Sequence, residues 1–111
     1  MKQKPYKEVA ELRDDIDLRL IDVREPDEYQ EVHVQGAENF PLSRLRGGER
    51  PEGDGRPVAV ICKSGGRSRR AATMLEQEGW ADGELINVSD GTIGAIEAGD
   101  QHVVRGDSPG E

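Results

Sequence analysis

The sequence predicts an α/β fold, a small parallel sheet flanked by helices. Three observations carry that prediction. Segments of strand composition alternate with segments of helical spacing, the pattern of parallel strands joined by crossovers. The run Val58-Ala59-Val60-Ile61 is continuously apolar, as a strand covered on both faces must be. That run passes through Cys62 and the pair Gly65-Gly66 directly into a helical pattern.

Each element has its own signal. Residues 6–12 form a short amphipathic helix through Val9 and Leu12, closed by the charged run Arg13-Asp14-Asp15. Residues 18–23 read as a strand, with Leu20, Ile21 and Val23 apolar and Arg24-Glu25-Pro26 ending it. Pro26 suits a first helical turn and Asp27-Glu28 suit the positive end of its dipole, so 26–32 is a short helix. Residues 36–42 are a short strand ended by proline, and 43–45 a turn of helix. From 46 to 56 the sequence RGGERPEGDGR has nothing to bury and is expected to be a mobile loop. After the strand at 58–61 comes a helix over 67–78, with Ala71, Met74 and Leu75 as its buried stripe and Gly79 as its stop. A strand at 84–88 and a last helix at 90–98 follow, and the tail from 101 onward is expected to fray.

The totals bound the function. With 111 residues the chain makes one domain, its core spanning about 6–106 and its tail 107–111. A formal net charge of −8 argues against partners such as nucleic acid or anionic membrane. No apolar run approaches the roughly 20 residues that span a bilayer, and the N-terminus lacks the apolar stretch of a signal peptide, so a cytoplasmic location is expected. One cysteine and two histidines offer no metal cluster, and no motif calls for a cofactor; Gly91 and Gly94 lack the spacing of a dinucleotide site. A lone cysteine forms no internal disulfide, and its bland reading is a small buried hydrophobe.

Position argues for more. In parallel α/β sheets, ligands bind beyond the carboxyl ends of the strands, where Cys62 stands. Gly65 and Gly66 let the following backbone curl so that successive N–H groups face inward above a helix N-terminus. Such a setting favours thiolate over thiol. Arg67, Arg69 and Arg70 crowd the helix start while Glu76 and Glu78 sit at its end, against the dipole by about 0.3–1 kcal/mol per exposed charge. A bound anion offsets that cost, with Lys63 and Arg67 supplying charge-assisted hydrogen bonds, so the site is expected to be shallow and positive. The alternative, a solvated face, remains open for the arginines.

With these residues in view, the chain resembles the rhodanese family from about Tyr6 to Gly106. Cys62-Lys63-Ser64-Gly65-Gly66-Arg67-Ser68 is similar to the family's active-site loop, and Asp22-Val23-Arg24-Glu25-Pro26-Asp27-Glu28-Tyr29 to its aspartate-valine-arginine signature. His33, Gly36-Ala37, Asn39, Pro41-Leu42, Asn87-Val88 and Ala98-Gly99 match the continuation. The resemblance implies a sulfurtransferase in which Cys62 takes a sulfane sulfur from a small anionic donor such as thiosulfate. Cys62 becomes a persulfide and passes the sulfur to cyanide, a thiol or a protein. Lys63, Ser64, Gly65, Gly66, Arg67 and Ser68 then bind substrate, Asp22 and Arg24 support the rim, and His33 is structural. Val32, Asp90 and Ile96 depart from the family pattern, which touches turns and packing more than the reactive loop.

Two rival readings stand beside this one. A phosphatase or arsenate reductase also uses a cysteine and an arginine-bearing loop, but phosphatases place five residues between the two, where this loop has only Lys63, Ser64, Gly65 and Gly66. A non-catalytic binding module needs no Cys62. His102 is expected to be exposed, Arg105-Gly106-Asp107 to be a chance tripeptide, and 14–17 a solvated acidic loop.

Overall fold

The computed structural model describes residues 1–106. Five parallel strands form the main sheet: β1 (Lys2–Lys4), β2 (Arg19–Asp22), β4 (Glu38–Asn39), β5 (Val58–Ile61) and β6 (Leu85–Val88). Their order is β1-β6-β5-β2-β4. The most apolar strand, β5, takes the central place, and short polar strands take the edges, as burial on two faces requires. Helices α1 (Tyr6–Asp15) and α5 (Gly91–Glu97) cover one face; α3 (Leu42–Arg46) and α4 (Gly66–Gln77) cover the other.

Alternation along β5 divides the core. Val58, Val60 and Cys62 face Ala71, Ala72 and Leu75 of α4, while Ala59 and Ile61 face Val9 of α1 and Ala95 of α5. Cys62 thus lies on the α4 side, one residue past the strand.

Several expectations need correcting. The N-terminus carries strand β1, which pairs with β6 in register Gln3↔Asn87. Residues 103–105 do not fray: β7 (Val103–Arg105) pairs antiparallel with β3 (Val32–Val34), a strand that follows α2 (Pro26–Glu31). Both are short and far apart in sequence, so each is a strand only because it meets the other. Asp14 and Asp15 continue α1 rather than starting a loop. Arg46 ends α3, and the rest of the expected mobile loop, 47–56, is irregular but tied down. Arg50 pairs with Glu78 at 2.7 Å, buried Pro51 accepts from Trp80 Nε1 at 2.9 Å, and the Glu52 carbonyl accepts from Arg19 at 2.7 Å. His102 is half-buried beside Asp100. The segment 107–111, with Asp107 of the tripeptide, lies outside the described residues.

Candidate active site

Strand order creates the site. From β5 the chain turns through α4 to β6, toward one edge; from β2 it passes to β4, toward the other. The loops leaving β2 and β5 therefore diverge, opening the crevice where α/β sheets bind ligands. Register puts Asp22 level with Ile61, so the segments 22–25 and 62–65 stand side by side on the same rim.

The thiol of Cys62 sits beneath its own loop. Gly65 adopts φ +102°, a left-handed conformation that favours glycine, and its N–H donates to Sγ at 3.1 Å. The N–H groups of Ser64 and Ser68 also aim at the sulfur, and the Ser68 hydroxyl lies 3.3 Å from it. Burial pushes the thiol up, but the Ser68 hydroxyl and the N–H groups of Ser68, Gly65 and Ser64 outweigh it and hold Cys62 below the ordinary thiol value. A sulfur anion is the species these donors suit.

The start of α5 anchors the first part of this loop. The Cys62 carbonyl accepts from the Thr92 N–H at 2.8 Å and its hydroxyl at 3.0 Å, and the Lys63 carbonyl accepts from the Ile93 N–H at 3.0 Å. Within a peptide plane the N–H points opposite the carbonyl, so a Lys63 carbonyl turned toward α5 sends the Ser64 N–H the other way, toward the sulfur. Gly91, at φ +58°, permits this approach, since a side chain there would run into the carbonyls of Cys62 and Lys63. At the level of sequence Gly91 is weighed only as part of an incomplete dinucleotide spacing, which misses this role. Its signal was a glycine directly after a strand and a turn, in the order Asn87-Val88-Ser89-Asp90-Gly91.

Asn87 was also missed as a site residue. The Ser68 hydroxyl lies 2.5 Å from Asn87 Oδ1, and Asn87 Nδ2 donates to Gln3 Oε1 at 2.7 Å and to the Gly65 carbonyl at 3.2 Å. This hydrogen-bonded chain fixes Ser68 and Gly65, both of which bond the sulfur. It runs back to β1.

The predicted site residues separate into distinct environments. Lys63 and Ser64 are exposed at the mouth, and Gly66 is open, with nothing beyond its chain neighbours and its own helix backbone within 4 Å of where a side chain would begin. Arg67 is held elsewhere: its guanidinium donates to both carboxylate oxygens of Glu28, at 2.6 and 2.8 Å. The Arg67 hydrogen bonds, opposed by burial and helped by the Glu25 N–H, hold Glu28 down at about 2. Glu28 therefore offsets the charge that the sequence placed against the dipole of α4. The site is deeper than the expected shallow cleft, because Cys62 is only 1% exposed.

Asp22 and Arg24 brace the rim from below. Arg24 donates to Asp22 Oδ2 at 2.8 Å, to the Val32 carbonyl at 2.6 Å and to the Glu28 carbonyl at 3.3 Å, while its own N–H reaches Asp22 Oδ1 at 3.0 Å. Both side chains are buried, and these contacts occupy the guanidinium. Asn39 adds bonds to the Asp22 and Arg24 carbonyls. His33 stacks on Tyr29 and its Nδ1 donates to the Tyr29 carbonyl at 2.7 Å. Among the described residues no group of His, Cys, Asp and Glu side chains could hold a metal ion, and no helix is long and apolar enough to cross a membrane.

The model of the rhodanese-like domain matches residues 5–93, covering both rim segments and the whole Cys62 loop. The chain belongs to the rhodanese family. Among relatives of this rhodanese-like chain, the protein YqhL of Bacillus subtilis is 40% identical over 73 residues, covering 66% of the chain and 56% of YqhL. The thiosulfate sulfurtransferase GlpE of Pseudoalteromonas translucida is 29% identical over 91 residues, covering 82% of the chain and 84% of GlpE. A crystal structure of a rhodanese-related protein from Thermoplasma volcanium superposes with a TM-score of 0.73 at 27% identity, over 94% of this chain and 98% of that one. The chain spans about half the length of the first curated relatives it matches.

Proposed function

We propose that this rhodanese-like chain is a sulfurtransferase that carries sulfane sulfur as a persulfide on Cys62. One observation carries the reading: N–H donors and a hydroxyl converge on a sulfur held below the ordinary thiol value. In the first step the Cys62 thiolate attacks the outer sulfur of thiosulfate. The sulfur–sulfur bond of the donor breaks with its electron pair leaving on sulfite, and Cys62 becomes a persulfide anion. In the second step cyanide, a thiol or a protein thiolate takes the terminal sulfur and returns the thiolate. An ionised nucleophile needs no dedicated base.

The roles within the loop differ from a uniform anion cradle. The N–H groups of Ser64, Gly65 and Ser68 stabilise the sulfur anion, and the open side at Gly66 gives the donor its approach. Lys63, exposed and without a carboxylate partner among the described residues, meets the donor anion directly. Arg67 acts at the mouth only by sharing its guanidinium with Glu28, which also weighs against a phosphatase-like grip on phosphate.

Intact-protein mass spectrometry after exposure to thiosulfate tests the proposal. The expected result is a gain of one sulfur atom, reversed by cyanide with release of thiocyanate, and Cys62→Ser should lose both. A wild-type protein that gains no sulfur, or a Cys62→Ser protein that still does, rules it out.

A further inference from the structure

The arginines of this chain differ in what they face: Arg13, half-buried, donates to the Gln35 carbonyl, and Arg105 is exposed on β7. Arg19, Arg24, Arg44, Arg50, Arg56 and Arg67 each face a carboxylate within ion-pair distance. Arg46, Arg69 and Arg70 face none among the described residues, although the chain has 23 acidic side chains against 15 basic ones. All three are exposed, and they share one open groove of about 650 Å³ whose remaining wall is Gly66, Thr73 and Met74.

The groove begins at the Cys62 loop, because Gly66 is the first residue of α4, and follows the helix to Met74. Eight steps from Gly66 to Met74 at a helical rise of about 1.5 Å make that length about 12 Å. An anion of thiosulfate size bonded to Sγ occupies only the head of such a groove. Cations placed this far along the helix serve something longer.

We propose that, granted sulfur transfer at Cys62, this groove is the docking surface for an acidic protein segment bearing the thiol that accepts the sulfur. Charge complementarity selects the occupant. A net charge of −8 disfavours an acidic partner over the chain as a whole, and three clustered unpaired arginines steer it to this face, where its thiol arrives beside Gly66. The aliphatic parts of Thr73 and Met74 add the apolar contact a peptide uses. Nucleic acid fits less well, since the groove has no aromatic ring on which a base could stack.

The probes are a glutamate-rich synthetic peptide with one central cysteine, its lysine-rich counterpart, and a single-stranded RNA oligonucleotide of the same charge as the first. Binding to the unloaded protein is read by fluorescence anisotropy, and sulfur uptake from the thiosulfate-loaded protein by mass spectrometry. The glutamate peptide should bind and take sulfur faster than the lysine peptide by about tenfold at low salt, with the advantage fading as salt rises. The triple variant Arg46→Ala/Arg69→Ala/Arg70→Ala should erase that advantage while thiosulfate loading and thermal midpoint stay near wild type. Equal binding of the two peptides, or an advantage that survives the triple variant, overturns the docking surface. RNA bound as tightly as the glutamate peptide, and lost in the same variant, reassigns the face to nucleic acid and also overturns it. If the protein takes no sulfur yet still binds the glutamate peptide through these arginines, the sulfurtransferase reading falls and the acidic-segment surface stands.

Discussion

Replacing Ser68 with alanine should make Cys62 less reactive at pH below its ionisation midpoint without disabling it at alkaline pH. The Ser68 hydroxyl has one proton and three acceptors in reach: Asn87 Oδ1 at 2.5 Å, the Gly65 carbonyl at 3.2 Å and Cys62 Sγ at 3.3 Å. When the thiol ionises, turning that proton to the sulfur makes a hydrogen bond to a charged group, about 1.5–3 kcal/mol, at the expense of a neutral one, about 0.5–1.5 kcal/mol. The difference is about 1–1.5 kcal/mol, so thiolate below its midpoint should fall about tenfold. The sign follows from the direction of the shift: Ser68 holds the thiol down, and its loss moves ionisation to higher pH. Alkylation by iodoacetamide, followed across a pH series, reads this directly. The Ser68→Ala curve should move to higher pH and reach the wild-type plateau at its alkaline end. Superimposable curves refute the reasoning, and a lowered plateau would mean the loop has collapsed instead.

Three further outcomes follow from the same geometry. Gly65→Ala puts a side chain against the Ser89 carbonyl at φ +102°; it should destabilise the protein by about 1–3 kcal/mol in urea unfolding and sharply slow sulfur loading. Glu28→Gln removes the partner of Arg67. Because the folded carboxyl lies at about 2 against an ordinary 4.5, the pair's contribution is full above pH 4.5 and is lost as pH falls toward 2. The stability difference from wild type should therefore be constant above that range and vanish at its acid end, with a size under about 1 kcal/mol given the pair's partial exposure. Arg24→Ala strands the buried Asp22 carboxylate and the carbonyls of Glu28 and Val32; it should cost about 3–5 kcal/mol by chemical denaturation, far more than any exposed arginine.

Legibility in the sequence followed burial. Strand β5 and helix α4 were readable because an uninterrupted apolar run and a glycine stop are local signals, and they placed Cys62 at the strand end correctly. Edge strand β1 was not, since Lys2-Gln3-Lys4 has no strand character of its own and is extended because β6 offers it hydrogen bonds. The 46–56 segment looked mobile for a similar reason: its anchors are Glu78, Trp80 and Arg19, all distant in the chain.

The sequence by itself determined the fold class, the position of the nucleophile and the glycine turn that follows it, because each depends on neighbours a few residues away. Tertiary structure alone decided where the loop's amides point and which cations are free. The Ser64 amide faces the sulfur because α5, some thirty residues on, holds the Lys63 carbonyl, and Asn87 of β6 holds the Gly65 carbonyl. Arg67 is engaged because Glu28, from the other side of the crevice, reaches it, whereas Arg46, Arg69 and Arg70 find no such partner among the described residues. Hydrogen bonds and ion pairs act over about 3–4 Å, and only folding brings residues so far apart in the chain within that range.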